Sequence, residues 1–249
     1  PIVANSRDLD IGRYFWNGST NYYHDGKIDE VRVSDVVRSA EWIATEYNNQ
    51  NNPSAFYSIG AEQGGTYEPV IPVCGYGFRK IIRTDSSEVS GSSALTDFPM
   101  LVSFSDNDLR TTSNGGNVEN DNGYDIIFTD ENLNPLDHQV ESYDPSTGDY
   151  TAWIRIPSLP NATEYKMNMF YGNPEMTVDP STQCTWSSDF EAIWHLHDDF
   201  LDATGNGNNG TNNGSADESP AQIEDGQDFD GTDFIEVSSF PNLSTDFTI

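Results

Sequence analysis

The residues best suited to chemistry in this chain are acids and amides set around glycines. Asp202-x-Thr204-x-Asn206-Gly207-x-Asn209 places side-chain oxygens at alternate positions of a glycine-containing loop, a donor set that suits a hard cation such as calcium. The spacing resembles the start of an EF-hand loop, but Asn213 stands where that loop needs a bidentate Glu, so an EF-hand is rejected. The competing reading is that Asn and Gly only build a turn here. Asp130-x-Asn132-x-Asn134 repeats the spacing, with Glu141 at the twelfth place. Pro135 replaces the required glycine and a strand signal follows at once, which favours a hairpin turn.

His195 and His197 flank Leu196 and would face the same way on a strand, as two zinc-binding imidazoles could. Neither a Cys nor a third His lies nearby in sequence, which favours structural histidines. In Asp137-His138 the two side chains alternate across a strand and cannot form a general-base dyad without a bulge. There is no Gly-x-Ser-x-Gly, phosphate loop or dinucleotide fingerprint, so the expectation is a protein that is not an enzyme.

The elements that must position these residues are strands. Alternating or aromatic runs recur at Phe78–Thr84, Phe98–Phe104, Tyr124–Thr129, Leu136–Tyr143, Tyr150–Ile156 and Tyr165–Tyr171, separated by clusters such as Ser113-Asn-Gly-Gly116 and Asp144-Pro-Ser-Thr-Gly148. In the last run Tyr165, Met167, Met169 and Tyr171 share one face, the period-two pattern of a half-buried strand. Regular short strands of this kind predict an antiparallel β-sandwich. One short helix is predicted near 39–49, capped by Ser39, with Glu41 in its first turn and an Asn-rich stop.

The 249 residues carry 41 acids against 11 bases, a net charge of −30. Such a field opposes encounter with nucleic acid or an anionic membrane and favours divalent cations or basic partners. No apolar run is long enough to span a bilayer, so membrane insertion is not expected.

Specific strings add a resemblance. Phe78-Arg-Lys-Ile-Ile82, Leu95-Thr-Asp-Phe-Pro99, Asp125-Ile-Ile-Phe-Thr-Asp130, Leu136-Asp-His138, Glu141-Ser-Tyr-Asp144, Ala152-Trp-Ile-Arg-Ile-Pro157 and Phe170-Tyr-Gly-Asn-Pro174, in that order, resemble the bacterial family known as domain of unknown function 2341 over most of 76–190. The flanks resemble a laminin-G-like, concanavalin-A-like lectin sandwich. The tail has its opening in Ile193-Trp-His-Leu196, the Asp202 loop and Asp228–Val237. The head has its close in Asp25–Val33, the helix and Phe56–Gly60.

The resemblance implies four segments. Residues 1–63 are the C-terminal part of a lectin-like jelly-roll domain, and 64–75 a linker. Residues 76–189 are the middle β-sandwich, and 190–249 the N-terminal part of a second lectin-like domain. The fold class is therefore all-β, with partial concanavalin-A-like segments around the middle sandwich. Residues 1 and 249 are expected to cut a lectin-like domain whose strands are completed by a neighbouring copy in a repeating array, covalent or not. The alternatives are central strands missing from a longer tandem chain, or a head that folds back on its own chain's tail.

In such sandwiches the two ends of the sequence lie side by side, so Asp29 is expected to share a structural calcium with Asp202, Thr204 and Asn206. Cys74 and Cys184 bracket the middle domain and, in an exported chain, are expected to form a disulfide. Tyr14, Trp16 and Tyr22 crowd one stretch that could stack sugars. The implied function is a non-catalytic, calcium-stabilised repeat of a secreted bacterial or archaeal surface adhesin or extracellular fibre, with neighbouring copies as partners. A carbohydrate-binding module with glycan partners is the alternative.

Overall fold

The computed structural model describes residues 8–16, 19–65, 73–197, 199–218, 220–241 and 247–249, with the side chains at 15, 16 and 19–21 left out. Most of the expected linker, at 66–72, lies outside the described residues, as does the side chain of Trp16.

The chain opens with β1 (Leu9–Ile11), β2 (Arg13–Trp16), β3 (Ser19–Tyr23), β4 (Asp25–Ile28) and β5 (Val31–Ser34). Two helices follow, α1 (Ala40–Asn51) and α2 (Pro53–Phe56). Next come β6 (Tyr57–Ile59), β7 (Gln63–Gly64), β8 (Phe78–Thr84), β9 (Leu95–Ser105), β10 (Ile127–Asp130), β11 (His138–Asp144), β12 (Asp149–Leu159) and β13 (Lys166–Tyr171). The chain closes with β14 (Phe190–Trp194), β15 (Thr211–Asn213), β16 (Ala216–Glu218), β17 (Gly226–Asp230) and β18 (Phe234–Val237). All named strand pairs are antiparallel. The class is all-β, as the alternation predicts.

The chain divides into a middle unit, 39–185, and a terminal unit made of 1–38 together with 186–249. The middle unit is a sandwich of two sheets, with strand orders β10-β13-β8-β6 and β11-β12-β9; β7 also pairs with β8. Directly opposed residues share a face, so the register puts Phe78, Lys80 and Ile82 of β8 on one face with Tyr171, Met169 and Met167 of β13. That face meets the other sheet through Phe128, whose ring centroid lies 5.2 Å from His138 and 6.2 Å from Tyr150.

Helix α1 belongs to this unit. Ser39 Oγ accepts from Trp42 N at 3.2 Å, which satisfies one of the free donors of the first turn. Trp42, Thr45 and Asn49 form its buried face, and the Trp42 ring stands edge-on to Phe98 of β9 at 5.5 Å. Asn49 treats β9 as a neighbouring strand would: its amide donates to Leu101 O at 3.0 Å and its carbonyl accepts from Leu101 N at 2.7 Å. Tyr57 OH repeats this two residues on, donating to Ser103 O and accepting from Ser103 N. Polar side chains thereby occupy an edge that would otherwise recruit another strand. The sequence reading gave this helix and β6 to the head segment. The structure gives both to the middle unit, because β6 pairs with β8 and α1 packs on β9.

In the terminal unit β1 pairs with β18, β4 with β17 and β5 with β14. The expected completion by a neighbouring copy is therefore corrected, since head and tail strands complete one another within one chain. The physical reason is a shared core. Ile11 and Val33 from the head bury against Ala192, Trp194, Leu196, Phe229, Ile235 and Val237 from the tail. At the seam Ser34 pairs with Phe190, so the whole middle unit is inserted between two neighbouring strand ends.

Candidate functional site

Three aspartates, one of them in the loop that the sequence singles out, organise loops of this chain. Asp202 Oδ1 accepts from Ile193 N at 3.1 Å, Thr204 N at 2.9 Å and Thr204 Oγ1 at 2.8 Å, while Oδ2 accepts from Asn208 N at 2.9 Å. Three donors thus crowd Oδ1 and one reaches Oδ2, so the carboxylate is held mainly by its own loop and by β14. Asn206 spends its amide nitrogen on the carbonyls of Phe190 and Glu191. Asp202, Thr204 and Asn206 are thus brought together, as a buttress that ties the loop to β14.

Asp29 holds a different segment. Its Oδ2 accepts from Gln222 N at 3.1 Å and Ile223 N at 2.8 Å. Its Oδ1 is buried with no hydrogen-bond partner among the described residues. Burial, followed by the neighbouring Glu30 charge and opposed by the backbone donors, pushes its carboxyl up to about 6.

The third aspartate was not singled out beyond its string. Asp125 is fully buried in the middle unit. Its Oδ1 accepts from Asn120 N at 3.0 Å, and its Oδ2 from Glu119 N at 2.8 Å, Gly172 N at 3.0 Å and Asn173 N at 3.3 Å. One carboxylate therefore joins the loop before β10 to the end of β13.

The histidines turn to separate acids. Leu196, with φ +62, ends the strand geometry that would have aligned them. His195 Nδ1 lies 2.7 Å from Glu30 Oε1, and His197 Nε2 4.0 Å from Asp225. Arg32 donates to Glu30 Oε2 at 2.9 Å. Burial acts to raise the Glu30 carboxyl, but His195 and Arg32 overcome it and hold the group below its ordinary range. His138 has its own place, with Nδ1 3.3 Å from Leu136 O, and burial lowers its pKa. Asp137 pairs instead with Arg155, as strand alternation requires.

On the β2–β3 hairpin Tyr14 and Tyr22 are 55% and 66% exposed, with ring centroids 6.3 Å apart. The middle unit carries an open cavity of about 470 Å³ lined by Tyr57, Arg83, Asp85, Ser86 and Glu164 among others. Arg83 is already paired there with Glu164 at 3.3 Å.

The expected disulfide is corrected. Cys74 and Cys184 are both free and exposed. The two are anchored to different sheets. Cys74 O accepts from Asn173 just past β13, whereas Cys184 follows Thr182, whose N–H donates to His138 O on β11.

Sequence reasoning also passed over Lys80. Its side chain is 5% exposed; Nζ contacts Asp106 Oδ2 and lies 2.7 Å from Asp108 Oδ2. Burial acts to lower the ammonium pKa, but the two acids raise it overall. Nearby, Tyr171 OH donates to Glu62 at 2.6 Å and Asn117 to the same oxygen at 2.8 Å. The signal was in the alternation, for Lys80 sits at an inward position between Phe78 and Ile82.

Residues 122–212 match the family described as Domain of unknown function (DUF2341). The match begins later than the expected span and runs on through β14 and the Asp202 loop. It leaves the strings at 78–82 and 95–99 outside. No curated protein and no solved structure matches the chain. Among the described residues no helix is long and apolar enough to cross a membrane.

Proposed function

We propose that the chain is a non-catalytic structural module of a secreted surface adhesin or extracellular fibre, in which the terminal unit is a laminin-G-like, concanavalin-A-like sandwich and the middle unit an inserted β-sandwich. The observation that carries this reading is what the acids do: Asp125 and Asp202 each accept four hydrogen bonds from protein donors. Catalytic groups need an accessible proton or lone pair, and these acids are committed to holding loops. Neighbouring copies are the partners in this reading. The net charge of −30 favours calcium as the ion that lets such copies approach. Its best-supported protein ligand is Asp29, through the unpartnered Oδ1.

The test is electron microscopy and light scattering of the purified chain across a calcium titration. Filaments or discrete oligomers that dissolve on chelation are expected. A monomer at every protein and calcium concentration would remove the fibre reading.

The exposed Tyr14–Tyr22 pair favours a second reading, a glycan-binding module, because adjacent exposed rings can stack on the apolar faces of sugars. Binding on a glycan array that Tyr22→Ala abolishes would support it. An array with no signal would discard it.

A further inference from the structure

The Lys80 end of the middle unit has the parts that an internal amide cross-link requires. The sequence contains three lysines. Lys27 and Lys166 pair with acids at side-chain exposures of 56% and 32%, where water competes for the ammonium. Lys80 differs. Its stem runs across the inward face of β8, and its Nζ ends between two carboxylates carried by the turn that follows β9. The two carboxylates are not equivalent. Asp106 is the more enclosed, at 22% exposure, and its Oδ1 accepts a 3.0 Å hydrogen bond from Asp108 N. Asp108 is 41% exposed and reaches solvent.

We propose that Lys80 Nζ and Asp106 Cγ form an intramolecular amide bond that ties β8 of one sheet to the end of β9 in the other, with Asp108 carrying the proton. The ammonium passes a proton to Asp108, which frees the nitrogen lone pair. Asp108 hands that proton on to Asp106 Oδ2, which makes the carboxyl neutral. The nitrogen lone pair then attacks Asp106 Cγ, and the negative charge that develops on Oδ1 is met by the Asp108 N–H, which already points at it. The Cγ–Oδ2 bond breaks, and Oδ2 leaves as water after taking the second proton from nitrogen. One ammonium and one carboxylate thus become one amide and one water, with no oxidant or further reactant. In free solution the reverse reaction dominates. Two groups held in contact by a folded sandwich react at an effective concentration of about 10⁵ M or more, which is what moves the balance. This inference concerns the middle unit alone and stands independently of the surface-protein reading.

The test is the intact mass of the denatured full chain after folding. The expected mass is lower than the sequence mass by one water, with a peptide map joining the Lys80 and Asp106 peptides. Lys80→Met and Asp106→Ala should each restore the full mass. Asp108→Asn should leave the two reacting groups in place and reduce the linked fraction at least tenfold. A wild-type chain with the full sequence mass after prolonged incubation overturns the cross-link, and needs no variant to be read. A water lost at a different pair of residues overturns it as well. An Asp108→Asn chain that links as fast as the wild type overturns the role given to Asp108.

Discussion

Asp125 in the middle unit and Asp29 in the terminal unit are the same residue used to opposite effect. Asp125 collects four backbone N–H donors and joins two segments 47 residues apart in sequence. Asp29 also holds a distant segment, but with one oxygen only, and its other oxygen is enclosed without a donor among the described residues. Burial alone therefore says little about what a carboxylate contributes. The number of donors that come with burial decides whether the charge stabilises its loop or works against it.

The comparison predicts a graded series. Asp125→Ala should be the most damaging change, because the fully buried carboxylate is lost and four backbone amides lose their acceptor at once. A loss of about 4 kcal/mol is expected, read as the shift in denaturant midpoint at unchanged slope. A loss below 1 kcal/mol would mean that water replaces the carboxylate.

Asp202→Ala should cost somewhat less, about 2–3 kcal/mol, since one of its four donors is the Thr204 hydroxyl, which can turn to another acceptor. The same size of loss is expected with chelator and with calcium, because four protein donors already hold the carboxylate. A loss that appears only with calcium would make the loop a cation site.

Asp29→Asn should have the opposite sign. The folded-state pKa is raised from 3.8 to about 6, so the folded chain keeps this proton longer than the unfolded chain does. Stability from this group therefore falls as pH rises from about 4 to about 6, and stays low above that. The neutral amide keeps an acceptor for Gln222 and Ile223 and removes the penalty. A gain of about 1 kcal/mol at neutral pH is expected, the shift being discounted for solvent screening, with no gain below about pH 4. Melting curves across that range check it. If millimolar calcium turns the gain into a loss, Asp29 is a ligand.

The smallest effect belongs to the cysteines. Changing Cys74 and Cys184 to Ser together should alter stability by less than about 0.5 kcal/mol. A loss of several kcal/mol under oxidising conditions would restore the disulfide.

The strand Phe78–Thr84 and the whole of Lys166–Tyr171 were legible because both carry strong alternation or aromatic runs. The helix was legible through Ser39 and Glu41, with its C-terminal end two residues further along at Asn51. Its destination was not, because Asn49 and Tyr57 act on β9 through contacts 52 and 46 residues away. The Asp202 oxygens were legible as a set. Their full set of donors was not, since two of them, Ile193 and Asn208, lie outside the spacing that drew attention. Lys80 could have been found by asking why a cation occupies an inward position.

The seam at Ser34 and Phe190 has a consequence for how the molecule is made. Ser239 donates to Asp8 across 231 residues of chain, and β1, β4 and β5 all wait for partners beyond 186. During synthesis β1, β4 and β5 emerge before their partners and wait unpaired, while every partner named for β6–β13 is present once residue 171 has emerged. For these three strands the order of assembly is thus the reverse of the order of synthesis. A nascent chain halted with residue 185 just outside the ribosome should show protected amides in β8, β9, β12 and β13 and none in β1, β4 or β5. For that interval β1, β4 and β5 are the strands most in need of a chaperone.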